Sequence, residues 1–367
     1  MFKIIFFFIF LIFNLLIYYF IIRDFELKKK YKIIVILLLT ANFFIRNIIR
    51  FFSELEIEYI SENISFIGYT WIGLIIVLIC LGIIFIPLKL AVWLFLKQYS
   101  KKTFKIISVI WILLSLLFCV YGFYESNKID VNRINIFSSK IKKNSEITIA
   151  QISDIHLGVM FNKYRFDIMI EKIMSEKPDL LVITGDLFED RLFETEYVVS
   201  EFNKLNPNFG KFFITGNHDD HIEFSDLKEF LHRSGIINID NCIHNISENI
   251  VLVGSGDDPS WQNNVKTAEK EKRLLEKIDK NKFIIFLKHK PLIPDEILYK
   301  FDLMLSGFTH NGQIFPGLLL VKRFYKYISG LYELKNDSYI YVNNGAGTWG
   351  PPFRIFSFPE ISIIHLK

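Results

Sequence analysis

From residue 2 to about residue 124 the chain is dominated by long runs of Ile, Leu, Phe and Val, and so many apolar side chains leave few ways to fold in water. Residues 2–22 contain a single charge, Lys3. As a helix rising ~1.5 Å per residue, that run would cross a hydrocarbon core of ~30 Å. Three further runs cover about 33–52, 66–86 and 104–124. The second is the weakest, because Arg46 and Arg50 leave only 33–45 free of charge. The stretch from Pro87 to Leu96 reads as a kinked extension of the third run or an interfacial helix. No A-x-A-like cleavage site follows the first run, so it reads as a retained helix. The pattern predicts an all-α transmembrane region of about four helices over residues 1–125. A hydrophobic content of 51% in 367 residues agrees with that.

Basic residues set an expected orientation. Arg23, Lys28, Lys29, Lys30 and Lys32 lie between the first two runs, and Lys97, Lys101, Lys102 and Lys105 lie between the third and fourth. Glu54, Glu56, Glu58 and Glu62 lie between the second and third. The positive-inside rule then puts the N-terminus and everything after the fourth run outside the cytoplasm. Arg46, Arg50, Lys140, Lys142 and Lys143 pull the other way. A net charge of +4 argues against a nucleic-acid binder built on a broad basic surface. Cys80, Cys119 and Cys242 form no Cys-x-x-Cys, so neither a disulfide framework nor a thiolate zinc site is suggested.

Residues 126–145 are polar and read as a linker, and a different periodicity begins at 146. Short β-rich runs at 146–153, 179–184, 211–215, 283–288 and 302–306 alternate with amphipathic stretches near 164–176, 194–205, 225–234 and 264–280. Alternating strand and helix predicts an α/β domain over 146–367 with a strand-rich tail from about 324. Polar residues gather just after the strands, where open α/β sheets bind ligands. They are Ser153-Asp154-Ile155-His156, Gly185-Asp186, Gly216-Asn217-His218-Asp219, Lys288-His289 and Gly307-Phe308-Thr309-His310. Singly, Asp154 or His156 would pass for a strand-end polar residue, Asp186 and His289 for turn residues and Asn217 for a helix cap. Asp219 alone would pass for an acid at a helix N-terminus. Taken in this order they offer carboxylate, amide and imidazole donors suited to Mn, Fe or Zn ions.

With these motifs, residues 146–367 resemble the calcineurin-like metallophosphoesterases, in particular a membrane-associated bacterial branch. The ending Gly345-Ala346-Gly347-Thr348, Pro352, Arg354 and Pro359-Glu360-Ile361 is similar to that branch's C-terminal pattern. The resemblance implies an αββα sandwich and a site for two divalent metal ions between the sheets. It assigns Asp154, His156, Asp186 and His310 to the first ion, and Asp186 as a bridge with Asn217 and His289 to the second. It makes His218 the general acid, oriented by Asp219. Two ions of this kind clamp phosphate oxygens and activate a water, so the expected enzyme is a hydrolase of phosphomonoesters or phosphodiesters. Its expected partners are the membrane and a phosphate ester, with a lipid-linked ester as one option, and its expected place is a bacterial cell membrane.

One departure stands out. The family usually has Gly-His-x-His where this chain has Gly307-Phe308-Thr309-His310, and Phe308 cannot coordinate. The expectation is an active enzyme with a weakened second ion. The alternative is a silent binding or sensing module that keeps the fold. His221, His232, His244 and His365 match no family position, Gly312 and Gln313 shape a loop, and Asp257 and Asp258 read as solvated.

Overall fold

The computed structural model describes residues 2–54, 58–96, 101–142, 146–190, 194–257 and 264–367. Glu56, Lys97, Lys143 and Asp258, used above, lie outside the described residues. The chain divides into two compact units, one of residues 1–124 with 350–355 and one of 125–349 with 356–367.

The first unit is helical: α1 Phe2–Phe25, α2 Lys29–Glu54, α3 Glu58–Leu96 and α4 Lys101–Ser126, whose last two residues fall in the other unit. Two stretches, Ile60–Phe95 and Lys101–Ser126, are long and apolar enough to cross a membrane. α3 continues through Pro87 as one helix. All four helices supply the core, through Ile17 and Phe20, Leu39, Ile75 and Leu78, and Trp111. Within it Lys89, Asp24 and Ser108 form a buried polar cluster, with Lys89 Nζ 2.5 Å from both the Asp24 carboxylate and the Ser108 hydroxyl. A buried charge survives in apolar surroundings only when paired in this way. Residues 350–355 belong here although the sequence places them in the globular domain. The Phe353 ring packs at a tilt against that of Phe123, 5.3 Å between centroids, and Arg354 N–H donates to the Gly122 carbonyl at 3.2 Å. Pro351 and Phe353 are apolar, so this stretch finds its partners among the helices.

The second unit carries two six-stranded mixed sheets. The first is ordered β1 (Asp130–Ile136), β12 (Glu360–Leu366), β2 (Ile147–Ile152), β3 (Leu180–Thr184), β4 (Lys211–Ile214) and β5 (Ile236–Asn238). The second is ordered β10 (Gly330–Glu333), β11 (Tyr339–Val342), β9 (Leu303–Ser306), β8 (Phe283–Lys288), β7 (Ile250–Ser255) and β6 (Ile243–Asn245). The inner faces share one core, in which Ile149, Val182, Phe212 and Ile364 meet Leu252, Ile285, Leu287 and Leu305. Side chains alternate faces along a strand, so the intervening residues face outward and bury against helices. On the first sheet these are α5 (Lys163–Glu176), α6 (Thr195–Phe202) and α7 (Phe224–Arg233). Over the second sheet, Leu275 of α8 (Asn264–Leu275), Ile297 and Phe301 cover Val253, Phe286 and Met304. α5 shows the local logic: Asn162 caps Arg165 N–H, and Phe166, Met169, Ile170 and Ile173 fall on one buried face.

Part of the expected linker is therefore structure. β1 pairs in parallel with β12 from Asp130↔Glu360 to Ile136↔Leu366. Its Asn and Arg side chains hide the strand because it lies at a sheet edge, where one face meets solvent.

Candidate metal centre

The loops after β2, β3, β4, β8 and β9 bring the polar residues together. Ligand atoms of Asp154, His156 and His310 lie within 4.8 Å of one another, and so do those of Asp154, Asp186 and His289. Asp154 is thus common to two adjoining groups, while Asp186 reaches both His289, at 3.1 Å, and His156, at 4.0 Å. His310 Nε2 lies 3.3 Å from Asp154 Oδ1 and 3.1 Å from His156 Nε2. Asp154, His156, Asp186, His289 and His310 are all buried.

The backbone is bent to achieve this. Asp154, His156, Asp186, Phe308 and His310 all have φ between 47° and 74°. Such left-handed residues cost about 1–3 kcal/mol each, and they persist where surrounding structure fixes them. Close packing adds to the constraint. A Cβ on Gly216 would fall 2.2 Å from Asp186 Oδ1, and one on Gly307 would fall 1.9 Å from Ser153 Oγ.

Hydrogen bonds aim the imidazoles. His289 Nδ1 lies 2.7 Å from the Thr184 carbonyl, which leaves Nε2 turned toward Asp186. His156 Nδ1 meets Glu189 Oε2 at 2.9 Å, which leaves Nε2 turned toward His310. A backbone carbonyl or carboxylate behind an imidazole is the usual way a metal-ligating histidine is oriented. His310 is held from behind as well, because its carbonyl accepts the Ser357 hydroxyl. Glu125 in turn accepts the N–H groups of Phe356 and Ser357.

The donor set fits a divalent cation. Asn217 Oδ1 is sealed from solvent and has no hydrogen-bond partner, an expensive arrangement unless a cation completes it. Burial alone would favour a neutral Asp154, yet His310, with His289 and His156, holds it far below the usual carboxylate range. Burial likewise pushes His289 down, but Asp186 and Asp154 raise it to about 10. Negative charge here is balanced by positive charge, which is the role a metal ion would take over.

The surroundings of His218 correct one expectation. Asp219 does not address the imidazole: its Oδ2 accepts the N–H groups of Gly216 and Asp186, at 2.7 and 2.9 Å, and its Oδ1 that of Phe188 at 3.0 Å. The carboxylate beside His218 is Glu189, whose Oε2 lies 2.9 Å from His218 Nδ1. Burial opposes protonation of His218, but Glu189 and Asp186 raise its pKa above the ordinary value. Sequence reading missed Glu189. Its signal was an acid three residues beyond Asp186, just past Phe188, which bridges to Leu157. Asp257, expected to be solvated, instead pairs with Lys290 at 2.5 Å.

Phe308 contributes its backbone to the centre and its ring to the wall. Its N–H donates to Asp154 at 3.0 and 3.2 Å. The ring stands edge-on to His289 at 5.5 Å and packs 5.1 Å from Tyr325. The His289 side of the centre is therefore lined by aromatic carbon where the motif would place an imidazole.

Comparison with known proteins points the same way. The family described as calcineurin-like phosphoesterase matches residues 147–312. An uncharacterized metallophosphoesterase of Aquifex aeolicus is 32% identical over 255 residues, covering 69% of this chain and 98% of its own. One from Campylobacter jejuni is 32% identical, covering 65% of this chain and 63% of its own. A transmembrane protein with metallophosphoesterase domain from Danio rerio is 29% identical, covering 60% of this chain and 53% of its own. The aligned region is thus nearly the whole of the first relative and little more than half of the last.

Proposed function

This chain belongs to the calcineurin-like phosphoesterase family and is a phosphoric ester hydrolase, and we propose that it acts from a membrane on a lipid-linked phosphate ester. Asp154, His156, Asp186, Asn217, His289 and His310 would hold two divalent ions, with Mn, Fe or Zn suited to the donors. Bound there, the ions supply Lewis acidity toward phosphate oxygens and a water activated at neutral pH. The buried, partnerless Oδ1 of Asn217, on the loop that also carries His218, is the observation that carries the metal-centre reading.

The remaining work falls to the chain itself. His218 Nδ1 is engaged by Glu189, which leaves Nε2 to hand a proton to the departing alkoxide. Asp219 fixes the loop carrying His218 to the loop carrying Asp186 through shared backbone N–H bonds. Trp349, 5.9 Å from His218, forms part of the wall. Phe308 keeps an imidazole from the second ion, so that ion is held more weakly than the first. Phe308→His is expected to raise metal content and turnover, and two tightly held ions in the unaltered protein would refute a weakened second site.

Membrane attachment is carried by the two long apolar helices, with α1 and α2 as further spans. The basic loops orient the hydrolase domain outside the cytoplasm. Protease treatment of intact cells tests this, and a protected domain would reverse it. The catalytic reading is tested by Mn²⁺-dependent hydrolysis of a chromogenic phosphodiester beside Asp186→Ala. Equal rates in the two would leave a silent binding module as the better account. Vesicle-embedded and soluble phosphate esters compared side by side test the substrate class.

A further inference from the structure

We propose that the segment following the metal centre, α9 (Gly317–Phe324) with Phe315 and Phe356, rests in the headgroup layer of an anionic lipid bilayer. None of the eight residues of α9 is buried. Leu319, Leu320 and Phe324 are 60%, 64% and 58% exposed. Phe315, just before the helix, is exposed too, and its ring meets that of exposed Phe356 at 6.0 Å. Lys322 and Arg323 occupy the last turn, and Lys326 follows it, all exposed. A soluble surface seldom shows large apolar side chains grouped in this way. An exposed helix with Leu and Phe beside Lys and Arg is the composition that lies in a membrane interface, its apolar residues among acyl chains and its cations on anionic headgroups. Two copies of the chain paired symmetrically through this face would bring two basic sets to one interface, which disfavours self-association.

The position of α9 gives the face a purpose. Only residues 311–316 separate it from His310. Within them Gln313 donates to the Trp349 carbonyl at 2.9 Å and accepts Trp349 N–H at 2.8 Å. Trp349 is the residue beside His218. A phosphate ester carried on a lipid has its phosphorus at headgroup depth, and a face seated there would hold the centre level with it. The inference rests on the membrane attachment proposed above.

The test uses the full chain in vesicles containing anionic phospholipid, spin-labelled at one cysteine at a time. Leu320→Cys and Leu117→Cys are made with Cys80, Cys119 and Cys242 replaced. Native Cys242, exposed in the hydrolase unit, serves as the aqueous reference. The label at 320 is expected to relax with oxygen and to be shielded from a water-soluble nickel chelate, as the label at 117 on α4 is, with the reverse at 242. If 117 is shielded while 320 behaves like 242, the proposal falls and membrane attachment stands. If 117 is itself open to the chelate, attachment falls and the proposal with it. Dipolar broadening between labels at 320 would assign the face to a second copy and overturn the proposal. Independently, Leu319→Glu with Leu320→Glu should slow turnover of a vesicle-embedded ester about tenfold while changing a soluble ester less than about twofold. Equal effects on both would overturn it.

Discussion

Glu189 ties the metal centre to the residue proposed to donate the leaving-group proton. One of its oxygens faces both His156, in the metal centre, and His218, the proposed proton donor. Glu189→Gln keeps the shape and removes the charge. It is expected to weaken metal binding about 10–100-fold, the usual effect of losing an outer partner of a ligating histidine, and metal titration followed by calorimetry would read it. His218→Ala should behave differently. Turnover should fall about 10²–10⁴-fold with metal affinity unchanged, because only the leaving-group proton is affected. A parallel fall in metal content would show that His218 is a ligand and not the acid. Asp219 explains why the sequence misdirects here. Adjacency in the chain made it look like the partner of His218, but a buried carboxylate next to three backbone N–H groups satisfies those first.

At the scale of elements, legibility followed burial pattern. β2, β3, β4, β8 and β9 could be read in the sequence because each is a short apolar run stopped by Gly, Asp or His. β7 went unread although all six residues from Ile250 to Ser255 are buried, the same pattern that β3, β4 and β9 show. β1 escaped because its outward Asn and Arg mask the strand. α9 went unseen because it buries no residue and so owes its pattern to something other than the core. The strand-end donors were legible because chemistry restricts them to Asp, Asn and His. The left-handed φ values at Asp154, His156 and Asp186 were not, since nothing local in the sequence calls for them. Packing energetics can be checked at β12. Ile363 is fully buried between the first sheet and its helices, and Ile363→Ala should destabilise the unit by about 2–5 kcal/mol in denaturant titration.

For the molecule as a whole, metal binding and folding are linked. Donors drawn from five loops converge only in the folded state, so an ion that binds there and not to the unfolded chain stabilises it. At an ion concentration about 100 times Kd the gain is about 2.7 kcal/mol. Thermal unfolding of the hydrolase unit should therefore shift upward with Mn²⁺ and return on chelation, and no shift would argue that the centre stays empty.

β12 is the last strand in chain order, yet it is seated second in its sheet, hydrogen-bonded to β1 on one side and β2 on the other. Until residues 360–366 have left the ribosome that seat is vacant, and two strand edges wait open. The helices of residues 2–126 are by then long since synthesised. Translation thus supplies the four helices first and closes the hydrolase sheet afterwards, and a chain stopped short of Glu360 would lack the strand that joins β1 to β2.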